Sequence, residues 1–427
     1  MRALTDWLTR RAGVTQVMIP GILVMLIGPR IGDAFNLLYN ILLGRWLGNG
    51  EFGQALSIIG AISIPASAVS VLICRETVRH CEAGGTRAMY KYATRWFVGM
   101  LLLGVAGAGV ILLLGPYVGT IFRYQSQKAT LGLALLFVVT MTRPVWGAVI
   151  HGQQRFVLLG MGPALDGLLR FAFTAGLLLL GWQLLGVVYA QALTGMLLIV
   201  WAWYYATRYQ QKSAPATAPV IMTPQASSLA TLGNSVVTTV ALALWFWVDI
   251  EAVNYIFPGP IADGYAGVAT IGKIVCYAPE SLSVILMPLV MRNVLRAQDS
   301  HRHVYASLAA TVVATAVLVS VYAVWGTPIM RLYNKTFVTY APLLPKYALA
   351  MGFISLARVC AIYDLARGRF VTGWLLMALV PFELALFYLL RRTVSDTVNM
   401  LLLASATAAL LSLLSCFFPR RNKPCAA

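Results

Sequence analysis

Thr207–Ser228 reads TRYQQKSAPATAPVIMTPQASS and is the longest polar gap in a chain of 427 residues. Its Pro, Ala, Ser and Thr content cannot build a core, so it reads as a linker. It also lies at the midpoint of the chain. Both flanks are apolar: 59% of the residues are hydrophobic and 11% are charged, where a soluble domain carries roughly 25% charged residues. The shortfall is global, with a mean hydropathy of +0.78, so there is no soluble body bearing one greasy segment.

A helix crosses a bilayer with about 20 apolar residues. On the C-terminal side of the linker such stretches fall at Leu229–Ile256, Tyr265–Met291, Tyr305–Trp325, Ala341–Asp364, Val371–Leu390 and Val398–Phe418. On the N-terminal side they fall at Val17–Leu43, Phe52–Cys74, Trp96–Tyr117, Thr130–Ile150, Phe156–Leu180 and Leu184–Tyr205. The chain therefore reads as an all-α integral membrane protein of about twelve transmembrane helices. Residues 1–206 form an N-terminal six-helix lobe, 207–228 a cytoplasmic linker, and 229–427 a C-terminal six-helix lobe with a short tail. Met1–Arg11 is basic and polar, and the apolar run after it continues past signal-peptide length to Leu43, as a retained first span does.

A net charge of +18 often marks a nucleic-acid or acidic partner. Here the positive-inside rule accounts for most of it, and no nucleic-acid partner is expected. With the N-terminus cytoplasmic, the inner segments hold 19 of the 32 lysines and arginines, among them Arg2, Arg10, Arg11, Arg75, Arg79, Arg87, Lys91, Arg95, Arg292, Arg296, Arg302, Arg420, Arg421 and Lys423. This asymmetry sets both termini in the cytoplasm and favours an even number of spans. Trp46, Trp96, Trp182 and Trp325 fall near the expected interfaces.

The midpoint linker invites a comparison of the two halves. At a spacing of 214 residues Gly53 falls on Gly267, Ala55 on Ala269, Pro65 on Pro279, Ser67 on Ser281, Leu72 on Leu286 and Arg155-Phe156-Val157 on Arg369-Phe370-Val371. With a drift of one or two residues Arg143 meets Arg358 and Asp33 meets Asp249. Matches of proline, of the Arg-Phe-Val triplet and of an intramembrane arginine outweigh the many matches that a small apolar alphabet gives by chance. Six spans per half makes the copies parallel, related by a pseudo-two-fold axis along the membrane normal, with a central cavity as the expected site.

A charge at the bilayer centre costs a few kcal/mol or more and normally faces the protein interior or water. Arg30, Arg143, Arg170, Lys273 and Arg358 lie within expected spans, as do Asp33, Asp166, Asp249, Glu280 and Glu383; Glu251 and Asp364 lie near ends. Asp166 and Arg170 are spaced to pair on one helix face, and so are Arg30 and Asp33. Arg143 and Arg358 have no acid at pairing distance on their own helices, so a structural role demands a cross-helix partner, and cavity lining is favoured. Lys273 and Glu280 share one face two turns apart. Guanidinium groups make bidentate, charge-assisted bonds to phosphate or carboxylate, so the five cations are candidates for binding a polyanion such as a diphosphate. The five acids are candidates for coupling to H+ or Na+.

No GxxxxGK[ST], GxSxG, HExxH or CxxC pattern occurs. No catalytic residue, metal site or cofactor is expected, and the six cysteines suggest no disulfide. His80, His151, His301 and His303 fall in expected cytoplasmic segments and read as solvated loop residues, and Asn334-Lys335-Thr336 is a formal sequon of little weight.

Leu42-Leu43-Gly44-Arg45-Trp46-Leu47-Gly48-Asn49-Gly50-Glu51-Phe52-Gly53 resembles the junction after the first span in the polysaccharide (Wzx-type) flippases of the MOP exporter superfamily. Ile150-His151-Gly152-Gln153-Gln154-Arg155-Phe156 is similar to that family's turn between spans four and five. The two motifs cover some twenty residues, and the six-plus-six layout covers the chain. The resemblance implies a V-shaped two-lobed carrier of the bacterial cytoplasmic membrane that works by alternating access. Its cargo would be an undecaprenyl-diphosphate-linked oligosaccharide, moved from the cytoplasmic to the outer leaflet for cell-surface polysaccharide synthesis. Membrane lipids and other polysaccharide assembly proteins would be its partners. The family's seventh-span cation is missing here, and Lys273 in the eighth stands as its replacement; the two extra C-terminal spans of lipid II flippases are absent. Two alternatives stay open: a MATE-like ion-coupled exporter of cationic or amphipathic molecules, which the arginines oppose, and a polymerase or ligase of polysaccharide assembly, which the short, histidine-free outer loops oppose.

Overall fold

The structure is a computed structural model that describes residues 18–48, 50–82, 86–122, 124, 126–153, 155–208, 229–257, 259–277, 290, 301–389 and 392–417. Glu280, the prolines at 279 and 288 and nearly all of the linker lie outside them. The described residues form thirteen α-helices and one 3-10 helix. They are α1 (Met18–Trp46), α2 (Glu51–Glu82), α3 (Thr86–Leu113), α4 (Gly115–Phe122), α5 (Gln127–Gly152), α6 (Phe156–Leu179) and α7 (Gln183–Thr207), then α8 (Leu229–Ile256), α9 (Gly259–Gly272), α10 (His301–Tyr333), the 3-10 helix Lys335–Leu343, α11 (Leu344–Ala366), α12 (Val371–Leu389) and α13 (Val394–Phe417).

Nine helical segments among the described residues are long and apolar enough to cross a membrane. Two of them decide what solvent surrounds the protein. The most apolar window of α3 has a hydropathy of 2.3 with only 6% of it buried, and that of α10 has 2.1 with 11% buried. Leu102, Leu103, Leu113, Val313, Val324 and Trp325 stand out from these helices with more than half their surface uncovered. Exposed apolar area on this scale is stable against lipid and not against water.

The chain divides into two compact units: Met1–Trp46 with Val69–Pro224, and Leu47–Ala68 with Gln225–Ala427. In the first, α1 packs along α6, α5 lies against both α3 and α7, and α6 contacts α7. In the second, α8 packs along α12, α11 lies against both α10 and α13, and α12 contacts α13. The two units thus use the same order of helix pairings, which is the internal repeat expressed as packing.

The repeated Arg-Phe-Val triplet has the same task in both units. Arg155 Nη1 donates to the carbonyl of Tyr205 at 2.6 Å, beside bonds to the Ala206 carbonyl from Gln153 Nε2 at 3.2 Å and the Tyr90 hydroxyl at 2.8 Å. Arg369 Nη2 donates to the carbonyl of Ser415 at 3.4 Å. Each arginine opens one helix and neutralises the orphan carbonyls that end another, α7 or α13. Asp364 is buried, accepting from Thr372 Oγ1 at 2.5 Å and lying 3.8 Å from Arg369 Nε, and so ties the end of α11 to the start of α12.

The Gly-Asn-Gly-Glu-Phe-Gly junction also has a physical basis. Gly50 has φ +96°, and a Cβ there would lie 2.6 Å from the Gly259 Cα, so only glycine fits. The Gly50 N–H donates to Asp263 Oδ2 and the Gly53 N–H to Asp263 Oδ1, both at 2.7 Å. One carboxylate borrowed from α9 therefore caps the start of α2. Phe52 stacks on Phe337 with centroids 5.8 Å apart.

In the first unit α1 and α6 approach at backbone distance. A Cβ on Gly28 would lie 2.0 Å from the Gly160 carbonyl oxygen, and one on Gly32 would lie 2.5 Å from that of Pro163. Small residues permit this contact, which van der Waals packing drives inside a membrane. Gly28→Ala and Gly160→Ala should each lower the thermal unfolding midpoint in detergent, at a cost of about 1–3 kcal/mol from overpacking. Gly109→Ala on α3, where a Cβ meets nothing within 4 Å, should leave the midpoint within a degree or so.

Candidate functional site

Two buried clusters of ionisable side chains form, one in each unit. In the first unit the centre is Asp166 on α6, 8% exposed. Its Oδ2 accepts from Arg170 Nη2, one turn along the same helix, at 2.6 Å and pairs with Arg143 Nη2 of α5 at 3.0 Å. Arg170 continues to α1, where Nη1 donates to Asn36 Oδ1 at 3.2 Å and the guanidinium lies 5.8 Å from the Tyr39 ring centroid. Two cations thus share one anion. Arg143 is the exposed member, with 36% of its side chain accessible, so it can offer guanidinium edges to a further acceptor.

The Asp166–Arg170 pair follows from helical spacing, while Arg143, for which the sequence favours cavity lining, does have a cross-helix partner, the same carboxylate. Arg30 and Asp33 also pair, at 3.0 Å on the exposed side of α1. Exposed pairs of this kind contribute about 0.2–1 kcal/mol in water.

The centre of the second unit is Asp249 on α8, with no accessible surface. Oδ1 accepts from Lys273 Nζ at 3.1 Å, and Oδ2 accepts from the hydroxyls of Tyr265 at 3.0 Å and Tyr347 at 2.6 Å. The Lys273 ammonium lies 4.9 Å from the ring centroids of both Phe246 and Trp247, within reach of a cation–π attraction. Lys273 is therefore held inside the unit, its side chain 4% exposed. Glu251 accepts a short hydrogen bond from Ser57 Oγ of α2. Glu383 on α12 has no accessible surface, and neither of its carboxyl oxygens has a hydrogen-bond partner among the described residues. Arg358 is half-buried on α11.

Sequence reasoning had not singled out Asn36, Tyr39, Ser57, Tyr265 or Tyr347. Tyr265 and Tyr347 carried a usable signal, because a phenol deep in an apolar span usually finds a buried acceptor, here Asp249. Among the described residues no group of histidine, cysteine, aspartate and glutamate is arranged to hold a metal.

Removing Asp166 strands two guanidinium groups. Asp166→Ala should destabilise the protein by about 3–5 kcal/mol, as for breaking one side of a buried ion pair. Asp166→Ala combined with Arg170→Ala should cost less than the sum of the two single changes, measured by unfolding in detergent.

The chain matches no known protein-family model and no curated protein sequence. Its fold does match solved transporters. The lipid II flippase MurJ in an inward closed conformation superposes with a TM-score of 0.71 at 12% identity, over 93% of this chain and 87% of that one. An inward-facing multidrug resistance MATE family transporter of the MOP superfamily gives 0.69 at 12% identity, over 92% and 96%. A MOP superfamily transporter from Pyrococcus furiosus, described as having a binding pocket of reverse polarity, gives 0.64 at 14%, over 92% and 94%. The protein is a multi-pass membrane protein with the fold of MOP superfamily transporters.

Proposed function

We propose that the protein is a flippase that moves an undecaprenyl-diphosphate-linked oligosaccharide from the cytoplasmic to the outer leaflet by alternating access. The observation that carries this reading is the Arg143–Asp166–Arg170 cluster. Two guanidinium groups on one carboxylate leave a surplus positive charge in an apolar interior, and a diphosphate is the acceptor whose geometry and charge it fits. The lipid II flippase among the structural neighbours supports a lipid-linked cargo for this fold. The reading places the protein in a bacterial cytoplasmic membrane with both termini inside, beside other polysaccharide assembly proteins, and its intramembrane carboxylates remain the candidates for H+ or Na+ coupling.

A MATE-like exporter of cationic molecules is the alternative. It is favoured by the second unit, where Asp249, Glu251 and Glu383 outnumber the lysine beside them. One structural neighbour, the P. furiosus transporter, is described as having a binding pocket of reverse polarity, so cargo charge decides the choice.

Detergent-purified protein should bind an undecaprenyl-diphosphate oligosaccharide saturably, and less tightly as salt rises. Arg143→Ala should weaken binding about tenfold or more, since a charge-assisted hydrogen bond is worth ~1.5–3 kcal/mol. Arg358→Ala tests the expected counterpart in the second unit. Saturable binding of a lipophilic cation instead, indifferent to Arg143→Ala, would replace the flippase with the exporter.

A further inference from the structure

The acidic cluster of the second unit is the natural place to look for a coupling cation, and its geometry points the other way. Asp249 is the one fully buried aspartate of α8. Its two oxygens already receive three donors: the Lys273 ammonium on one, the Tyr265 and Tyr347 hydroxyls on the other. The ammonium sits in a seat made for an organic cation, with one carboxylate oxygen at 3.1 Å and the rings of Phe246 and Trp247 each at 4.9 Å. A bare alkali ion wants a shell of oxygens, whereas an ammonium satisfies itself with one oxygen and aromatic faces. Glu383 is also fully buried, and neither of its carboxyl oxygens has a hydrogen-bond partner among the described residues. A second cation entering beside Asp249 would meet the repulsion of an ammonium held 3.1 Å from that carboxylate, in a medium where that repulsion is strong.

We propose that Lys273 is a tethered cation. Its ammonium fills the seat that an alkali ion would otherwise take beside Asp249, so the carboxylate cluster of the second unit is closed to Na+ and K+. Lys273 thereby decides which ions the unit can use, and of the two coupling ions considered for Asp249 and Glu383, Na+ is excluded. Neither cargo nor direction enters this assignment, so a wrong cargo leaves it standing.

The test is a titration of purified full-length protein with NaCl against choline chloride at constant ionic strength, read as the thermal unfolding midpoint and as equilibrium binding of radiolabelled Na+. The unaltered protein should show no saturable Na+ binding and no Na+-specific shift of its midpoint. Lys273→Met keeps the stem and removes the charge; it should gain saturable Na+ binding, with a Na+-dependent rise of several degrees that linkage requires of any ligand held by the folded state. Adding Asp249→Asn to Lys273→Met should abolish that gain. Saturable Na+ binding by the unaltered protein overturns the proposal, and this arm holds even if Lys273→Met does not fold. A folded Lys273→Met variant that stays indifferent to Na+ overturns it equally.

Discussion

A charged side chain withdrawn from water has to find its opposite, and the internal order of both units follows from that requirement. In the first unit Asp166 draws Arg143 from α5 and Arg170 from its own α6, and Arg170 passes the link to Asn36 on α1. Three helices are thereby set in register by one carboxylate. In the second unit Asp249 gathers Lys273 and Tyr265 near α9 and Tyr347 on α11. Lipid gives helices no hydrophobic reason to prefer one neighbour over another, so contacts of this kind and close steric fit do the selecting. The steric part is visible where Gly28 and Gly32 let the backbone of α1 touch that of α6, which puts Asn36 and Tyr39 within reach of Arg170.

Much of this was legible in the residues themselves. Low charge and high hydropathy gave the all-helical membrane class. Helical spacing gave the Asp166–Arg170 and Arg30–Asp33 pairs, whereas the lack of an acid near Arg143 on its own helix favoured cavity lining, and the carboxylate it meets belongs to another helix, 23 residues on. The Arg-Phe-Val repeat was visible as a pattern, but its purpose needed coordinates: the carbonyls that Arg155 and Arg369 neutralise lie 50 and 46 residues further on. The same distance in sequence hid Asp263, whose carboxylate caps a helix start 213 residues earlier. Lys273 was read as a candidate for binding cargo because its spacing revealed nothing of Asp249, 24 residues away on another helix.

The repeat also shows what duplication preserves and what it releases. Pairing order and the arginine caps are common to both units, since each answers a need that any such helical unit has: burying its faces and ending its last helix. Ionic content is not common. The first unit places two cations on one anion, while the second pairs a single buried lysine with the fully buried Asp249 and also buries Glu383. A shared scaffold with unequal charge lets the two halves take unequal roles.

Segment Leu47–Ala68 precedes most of the first unit in the chain, yet it is packed with the second. The α2 start that it contains is closed by Asp263, and its Ser57 bonds to Glu251. The α2 start precedes Asp263 by 213 residues and Ser57 precedes Glu251 by 194, so neither contact can form before α8 and α9 have been made. A C-terminal half severed in the midpoint linker would carry Asp263 and Glu251 without the helix start that both contact in the intact chain.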